Sequence, residues 1–298
     1  MTWLILALVA AVATSLTTIF AKIGIKDVNS NLATAYRTGV VIVCAVIMCL
    51  ITGSIHTVPS FNVRNWVFLG LSGLMTGLSW LCYYRALKLG TVNKIAPIDK
   101  SSFILTSILF MIFFFGPTTN NGDPLTISMV VLSMALMLVG TILMLDFHRK
   151  DGIKSKTWVV YAILSAVFAS LVALFVKMGL SGISGDVGTL FRTIVVFIFA
   201  VTIVLFRKDY QGISKISPKS WIFLTLSGIA TGVAWIAEYT ALAIEDANPV
   251  AVNSIGKLSI LLTMLFSAVI LKEKFTWKTL LGLGFLTAGI VVIIVFSL

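Results

Sequence analysis

A lysine inside an otherwise apolar stretch needs a partner or a cavity. Lys100 in "KIAPIDKSS" and Lys257 in "AVNSIGKLS" are such residues, each well inside a run hydrophobic enough to cross a bilayer. An ionisable side chain near the bilayer centre costs about 3 kcal/mol or more, so it faces a watery cavity or a counter-charge. Two arrangements fit. Lys100 and Lys257 line one central cavity and hold the anionic group of a solute, or each is neutralised locally, Lys100 near Asp99 and Lys257 by Glu238. Asp99 and Glu238 are the acids that lie well inside such runs, so either is a candidate proton carrier. Pro97, two residues before Asp99, removes a backbone donor and exposes carbonyls, which at membrane depth is tolerated only against protein or water. The matching stretch carries Asn253, Ser254 and Gly256 and is polar too.

Further polar groups accompany them. Arg37 and Arg192 sit about five residues inside their runs, where a long side chain can snorkel to the interface or turn inward onto an anion. Lys22 and Lys177 lie nearer their ends and are expected to snorkel. Trp80 with Tyr84, and Trp235 with Tyr239, are spaced four apart and share a helix face, as cavity walls or as packing. These residues, with Asn253, make up the candidate binding set. No metal site and no cofactor is expected. Cys44, Cys49 and Cys82 lie in apolar runs without metal spacing, and His56 and His148 lie in connections. Without HExxH or a Cys/His pairing, an intramembrane enzyme lacks its nucleophile and base. The GxxxxGK[ST] phosphate loop is missing as well, so any work must draw on a gradient.

Elements must hold these groups at depth, and composition says which kind. Hydrophobic residues make up 59% of the 298 and charged residues 11%, against about 45–50% and 25% in soluble domains. The net charge of +11 is not a nucleic-acid face, because its cations sit in short connections such as "FHRKDGIKSK". Runs of roughly 20 apolar residues occur at 3–25, 32–52, 65–89, 94–115, 126–146, 158–180, 187–206, 220–243, 248–271 and 278–297. The first resembles a signal peptide, but it lacks a basic start and recurs at 157–177, so it is read as a true span.

The ten runs are five runs written twice. "SGLMTGLSWLCYYRALKLG" from Ser72 returns as "SGIATGVAWIAEYTALAIE" from Ser227, an offset of 155 residues that also joins Trp3 to Trp158, Lys22 to Lys177, "YRT" at Tyr36 to "FRT" at Phe191, and Trp66 to Trp221. Gly73 and Gly77, with Gly228 and Gly232, give each copy one GxxxG, a spacing that lets helices approach closely. Arg85 and Glu238 fall at nearly the same place in the two copies, which predicts an electrically asymmetric cavity. Lys100 aligns with Lys257 after a two-residue insertion. Five is odd, so the second copy enters from the opposite side. The expected fold is an all-α polytopic membrane protein of ten transmembrane helices, built as two inverted five-helix repeats, 1–148 and 157–298. Such folds put a solute site near the midplane between repeats. Connections after odd-numbered spans hold nearly all the loop cations, Lys26, Arg149, Lys208 and Lys274 among them; those after even-numbered spans hold Arg64 and the acids Asp123, Asp186, Glu245 and Asp246. The preference of cytoplasmic loops for Lys and Arg then puts both termini outside.

"IFAKIGIK" (Ile19–Lys26), "SGLMTGLSWLCYYRALKLG", "KIAPIDKSS" (Lys94–Ser102) and "LKEKFTWKTLLGLGFLTAGI" (Leu271–Ile290) resemble the EamA-type members of the drug/metabolite transporter superfamily over essentially the whole chain. The resemblance implies ten helices in two five-helix repeats and, unlike this chain's own loop charges, cytoplasmic termini. The function expected is secondary active transport, as exporter or exchanger, of a small polar anionic or zwitterionic metabolite by alternating access. The plasma (inner) membrane of a prokaryote is the expected location. A lipid-carrier flippase is the alternative, and an intramembrane lipid-modifying enzyme a more distant one. The partners expected are a small-molecule solute and the lipid bilayer, with no nucleic acid; a homodimer is left open.

Overall fold

The computed structural model describes residues 2–25, 28–89, 98, 102–114, 124–143, 157–211, 213, 216–270 and 277–297. Among them there is no β-strand. The helices are α1 (Thr2–Gly24), α2 (Ser30–Thr52), α3 (Val63–Leu89), α4 (Ser102–Phe114), α5 (Pro124–Leu143), α6 (Thr157–Gly179), α7 (Gly185–Arg207), α8 (Pro218–Ala243), α9 (Pro249–Gly256), α10 (Leu258–Ile270) and α11 (Trp277–Ser297). A 23-residue helix such as α1 is ~34 Å long, enough for a hydrocarbon core of about 30 Å. α1, α2, α3, α6, α7 and α8 each suffice alone in length and apolarity. The chain is a multi-pass integral membrane protein.

Two features were not anticipated. The ninth span is two helices, α9 and α10, meeting at Lys257. A 3₁₀ helix, Ser54–Ser60, follows α2, where Gly53 at φ 70° ends that helix in the left-handed region that glycine enters without cost.

Large side chains face lipid and small ones face protein. On α1, Ile5, Leu8, Val9 and Val12 are exposed while Ala7, Ala10, Ala11 and Ala13 are buried. Hydrocarbon competes equally well for a leucine, so close backbone approach holds the helices together. The most extensive packing runs between the repeats: α1 on α8, α3 on α6, α5 on α11 and α2 on α7. The close contacts repeat at the sequence offset. A Cβ on Gly73 would stand 2.7 Å from Val195 Cβ and 3.0 Å from the Arg192 carbonyl oxygen; one on Gly228 would stand 2.7 Å from Val40 Cβ and 3.1 Å from the Arg37 carbonyl oxygen. Tyr36 meets Trp221 at 4.6 Å between ring centroids, and Phe191 meets Trp66 at 4.7 Å.

Contact order fixes helix direction. Gly73 and Gly77 meet Val195 and Phe199, so α3 runs parallel to α7; Gly228 and Gly232 meet Val40 and Cys44, so α8 runs parallel to α2. α2 is antiparallel to α7, with Leu32 and Ala35 against Ala200 and Val204, and Ala45 and Cys49 against Val187 and Leu190. α6 opposes α3 through Gly179 on Leu69 and Ser165 on Ser79. α1 opposes α8 through Gly24 on Leu224 and Thr17 near Thr231. Chained together, these relations make α6 antiparallel to α1, so the second repeat is inverted.

The two faces separate accordingly. At the face carrying the connections after even-numbered spans, Asp186 accepts hydrogen bonds from Thr52 Oγ1 at 2.6 Å and Ser54 Oγ at 2.5 Å. At the opposite face Asp209 accepts from Asn29 Nδ2 at 2.9 Å and Asn31 Nδ2 at 2.6 Å. Both ends of the α2–α7 pair are thus held by a carboxylate.

Candidate functional site

Polar groups from both repeats converge at membrane depth. Arg192 begins its role with helix placement: seven residues into α7, it lies ~10 Å from that helix's start. It does not snorkel. Its side chain is only 2% exposed, and Nη2 donates to Thr76 Oγ1 on α3 at 2.8 Å. The guanidinium lies 4.6 Å from the Trp235 ring centroid and 5.2 Å from that of Tyr239. These rings sit four apart on α8 and stack at 6.5 Å, a cation–π arrangement that gains strength where water is excluded. Arg192 Nε and Nη1 have no hydrogen-bond partner among the described residues. Buried charged donors are rarely left so.

Arg37 repeats half of this. Its Nη2 donates to Thr231 Oγ1 on α8 at 3.0 Å, the counterpart of Thr76, so it too turns inward. The rest is not symmetric. Trp80, the counterpart of Trp235, packs with Leu32, Ala35, Ala200 and Val204 near the other face. Tyr84 lies on α3 with its side chain outside the described residues, as do Asp99 and Lys100 entirely.

Between α1, α8 and the α9–α10 junction lies a cavity of about 170 Å³ lined by Glu238, Asn253, Lys257, Ser259 and Thr14; Arg192 does not line it but acts electrostatically on Glu238 in its wall. Local sequence shapes its far wall. Asn248 caps α9 by accepting from the N–H groups of Val250 and Ala251, with Pro249 in the first turn, a standard start. Eight residues later the Lys257 N–H turns to the Ser254 carbonyl at 3.0 Å, and Ile260 N–H turns to the Lys257 carbonyl at 2.9 Å. These three-residue turns tighten the backbone and interrupt the span where Lys257 enters the cavity. Lys257 Nζ stands 5.8 Å from the Phe103 ring centroid. Asn253 Nδ2 donates to the Phe103 carbonyl at 3.3 Å and to Ser107 Oγ at 3.2 Å, tying the fourth helix of one repeat to that of the other. Glu238 has Lys257 and Arg192 as cationic neighbours.

Arg85 does not share this environment. It is exposed, because the matching position on α8 is Thr240, and two residues turn a helix by about 200°. Lys177, expected to reach the interface, does so at the end of α6 beside Arg64 and the exposed Glu245, and its Nζ donates to the Leu242 carbonyl near the end of α8 at 2.5 Å. The Lys22 side chain lies outside the described residues. Thr76, Thr231 and Ser107 were not singled out from sequence. A signal existed for the threonines: "MTG" and "ATG" keep Thr where neighbouring residues change between copies.

Comparison with known proteins agrees with this architecture. The EamA-like transporter family model matches twice, at residues 1–145 and 156–295. An uncharacterized transporter in the cobO 3′ region of a Sinorhizobium species is 40% identical over 142 residues, 48% of this chain and 99% of that protein. A protein of known crystal structure superposes with a TM-score of 0.76 at 16% identity over 99% of this chain and 97% of the other, a likeness of fold. The chain belongs to the EamA-like transporter family.

Proposed function

We propose that the protein is a secondary active transporter, exporter or exchanger, of a small anionic or zwitterionic metabolite by alternating access. The observation that carries this reading is Arg192: buried, stacked on two rings, and with two nitrogens, Nε and Nη1, that find no acceptor among the described residues. A carboxylate or phosphate oxygen is the acceptor such a fork is shaped for. Lys257 adds a second positive charge at the neighbouring cavity, Asn253 braces its wall through the Phe103 carbonyl and Ser107, and Glu238 is the proton carrier that couples flux to a gradient. A volume of about 170 Å³ falls below the ~300–1,000 Å³ of drug-sized sites. That suits a small solute better than a lipid-carrier head group. Asp99, Lys100, Arg37 and Tyr84 of the first repeat complete the proposed set, whereas Trp80 packs among Leu32, Ala35, Ala200 and Val204 near the other face and is left out of it.

Solute is held between two units that pack mainly on each other, so rocking one repeat against the other exchanges access while the site stays fixed. The proposed setting is the plasma membrane of a prokaryote, with the basic loops in the cytoplasm. Proteoliposome uptake over a panel of amino acids, organic acids and sugar phosphates tests the reading. Saturable uptake that falls at least tenfold in Arg192→Ala and Lys257→Ala is expected. Equal uptake by both variants and the wild type would remove the cationic site.

A further inference from the structure

We propose that the turn joining α7 to α8 binds the head group of an anionic phospholipid in the leaflet it faces. The first observation is the backbone. Lys208, directly after α7, stands at φ 56° and is the one residue other than glycine with a positive φ among the described residues. A side chain is strained there and glycine is not. The first repeat shows what the turn itself requires: at the offset of 155 residues, Gly53 ends α2 at φ 70°. The second repeat keeps the conformation and carries a lysine in it. A residue held against its backbone preference points to a use outside the backbone.

The surroundings of Lys208 supply that use. Arg207 precedes it and Lys219 stands in the first turn of α8, and all three are exposed. None makes a side-chain hydrogen bond or ion pair with a described residue. Asp209, the acid of the turn, does not neutralise them: its two carboxylate oxygens accept from Asn29 and Asn31 on the far side. Lys219 also stands at the end of α8 where the helix dipole repels a cation, an arrangement that a bound anion relieves. Ile216 packs on the cluster of Ala200 and Val204, which folds the connection back and keeps the two helix ends together. Leu205 and Phe206, the latter 86% exposed, and Ile222 offer apolar surface beside the cations. Cations at the membrane surface above apolar side chains complement a phosphodiester above its acyl chains. Topology alone does not require this arrangement. The preference of loops for Lys and Arg counts the charges in a connection and is indifferent to which residue takes the left-handed position. The other face provides the comparison: Ile51, the counterpart of Phe206, is 74% exposed, yet Thr52 and Gly53 stand where Arg207 and Lys208 do. Lipid tails meet both turns, and a cation pair meets the head group at one. The site lies away from both cavities and does not depend on what is transported.

The test is thermal unfolding of the full-length protein in neutral detergent, over concentration series of dioleoylphosphatidylglycerol, dioleoylphosphatidylcholine and inorganic phosphate. Phosphatidylglycerol should raise Tm at concentrations where the other two leave it unchanged. Lys208→Gly relieves the backbone strain, so without lipid it should unfold no lower than the wild type. It should nevertheless need about fivefold more phosphatidylglycerol for the same rise, the size of one cation near a lipid surface. Arg207→Gln and Lys219→Gln in one chain should need roughly 25-fold more by the same measure. Lys278→Gln, an exposed cation of the same face outside the turn, should change that concentration less than about twofold and is the control. A wild-type rise as large with phosphatidylcholine overturns the proposal, as does an unchanged phosphatidylglycerol requirement in Lys208→Gly and in the double variant. An equal loss in Lys278→Gln overturns it in favour of diffuse surface charge. A rise produced by inorganic phosphate alone makes the ligand a free anion and overturns the lipid.

Discussion

Replacing Gly73 or Gly228 by alanine probes whether the two repeats are locked in the same way. A Cβ at Gly73 would lie 2.7 Å from Val195 Cβ, whereas ordinary contact begins at 3.4 Å. α3 and α7 must then separate by about 0.7 Å, since the stiff valine has one favoured rotamer in a helix and the Arg192 carbonyl is backbone. The same displacement lengthens the Arg192–Thr76 hydrogen bond from 2.8 Å to roughly 3.5 Å, beyond useful geometry. Overpacking costs about 1–3 kcal/mol and loss of a charged hydrogen bond about 1.5–3 kcal/mol. Alanine's helix propensity returns about 1 kcal/mol, which leaves a net loss of about 1.5–5 kcal/mol. Gly228→Ala meets Val40 and the Arg37 carbonyl at nearly the same distances and should lose nearly the same amount. Gly70→Ala, with nothing within 4 Å, carries only the propensity gain and is the control. Thermal unfolding of purified protein in detergent reads all three. Melting temperatures for Gly73→Ala and Gly228→Ala that match Gly70→Ala would refute the close α3–α7 and α2–α8 packing, and a large loss in one alone would refute its symmetry.

Further outcomes follow from other contacts. Arg192→Lys should lose at least tenfold in transport while the protein stays folded, because an ammonium cannot stack on Trp235 and Tyr239 as a planar fork does; uptake assays with melting curves check this. Glu238→Gln should abolish uptake driven by a pH gradient yet retain solute–solute exchange in counterflow, and unchanged gradient-driven uptake would remove it as the proton carrier. Asp186→Asn should cost about 1–3 kcal/mol through its two hydroxyl donors, whereas Asp209→Asn, whose bond to Asn29 is exposed, should cost under about 1 kcal/mol. Melting temperatures in detergent separate the two.

Much of the architecture could be read from residues alone because a repeated sequence carries its own alignment. The offset joining Tyr36–Arg37–Thr38 to Phe191–Arg192–Thr193 reappears as matched contacts of Arg37 and Arg192 with Thr231 and Thr76. The direction of those arginines was not readable. One helical run does not say whether a long side chain turns to the interface or inward; a threonine on the opposite repeat decides it. The partner of Lys177 was unreadable for the same reason, since the carbonyl it caps belongs to α8. Trp80 and Trp235 look equivalent in sequence, yet one packs among aliphatic side chains and the other stacks on a guanidinium. Asp186 stood in the sequence only as a connection acid; the antiparallel α2–α7 pair is what brings Thr52 and Ser54 to it. The break at Lys257 had a signal in Gly256 and the polar residues before it, though the choice of residue depended on three-residue turns that spacing alone does not specify.

Cysteine labelling in intact cells tests the inverted arrangement most directly. In a chain with Cys44, Cys49 and Cys82 replaced by alanine, single cysteines at Arg64 and Glu245 should react with a membrane-impermeant maleimide from outside. Single cysteines at Lys208 and Lys278 should react only after the membrane is opened. Reaction of all four from the same side would contradict the inverted repeats, and with them the account of a solute held between opposed halves.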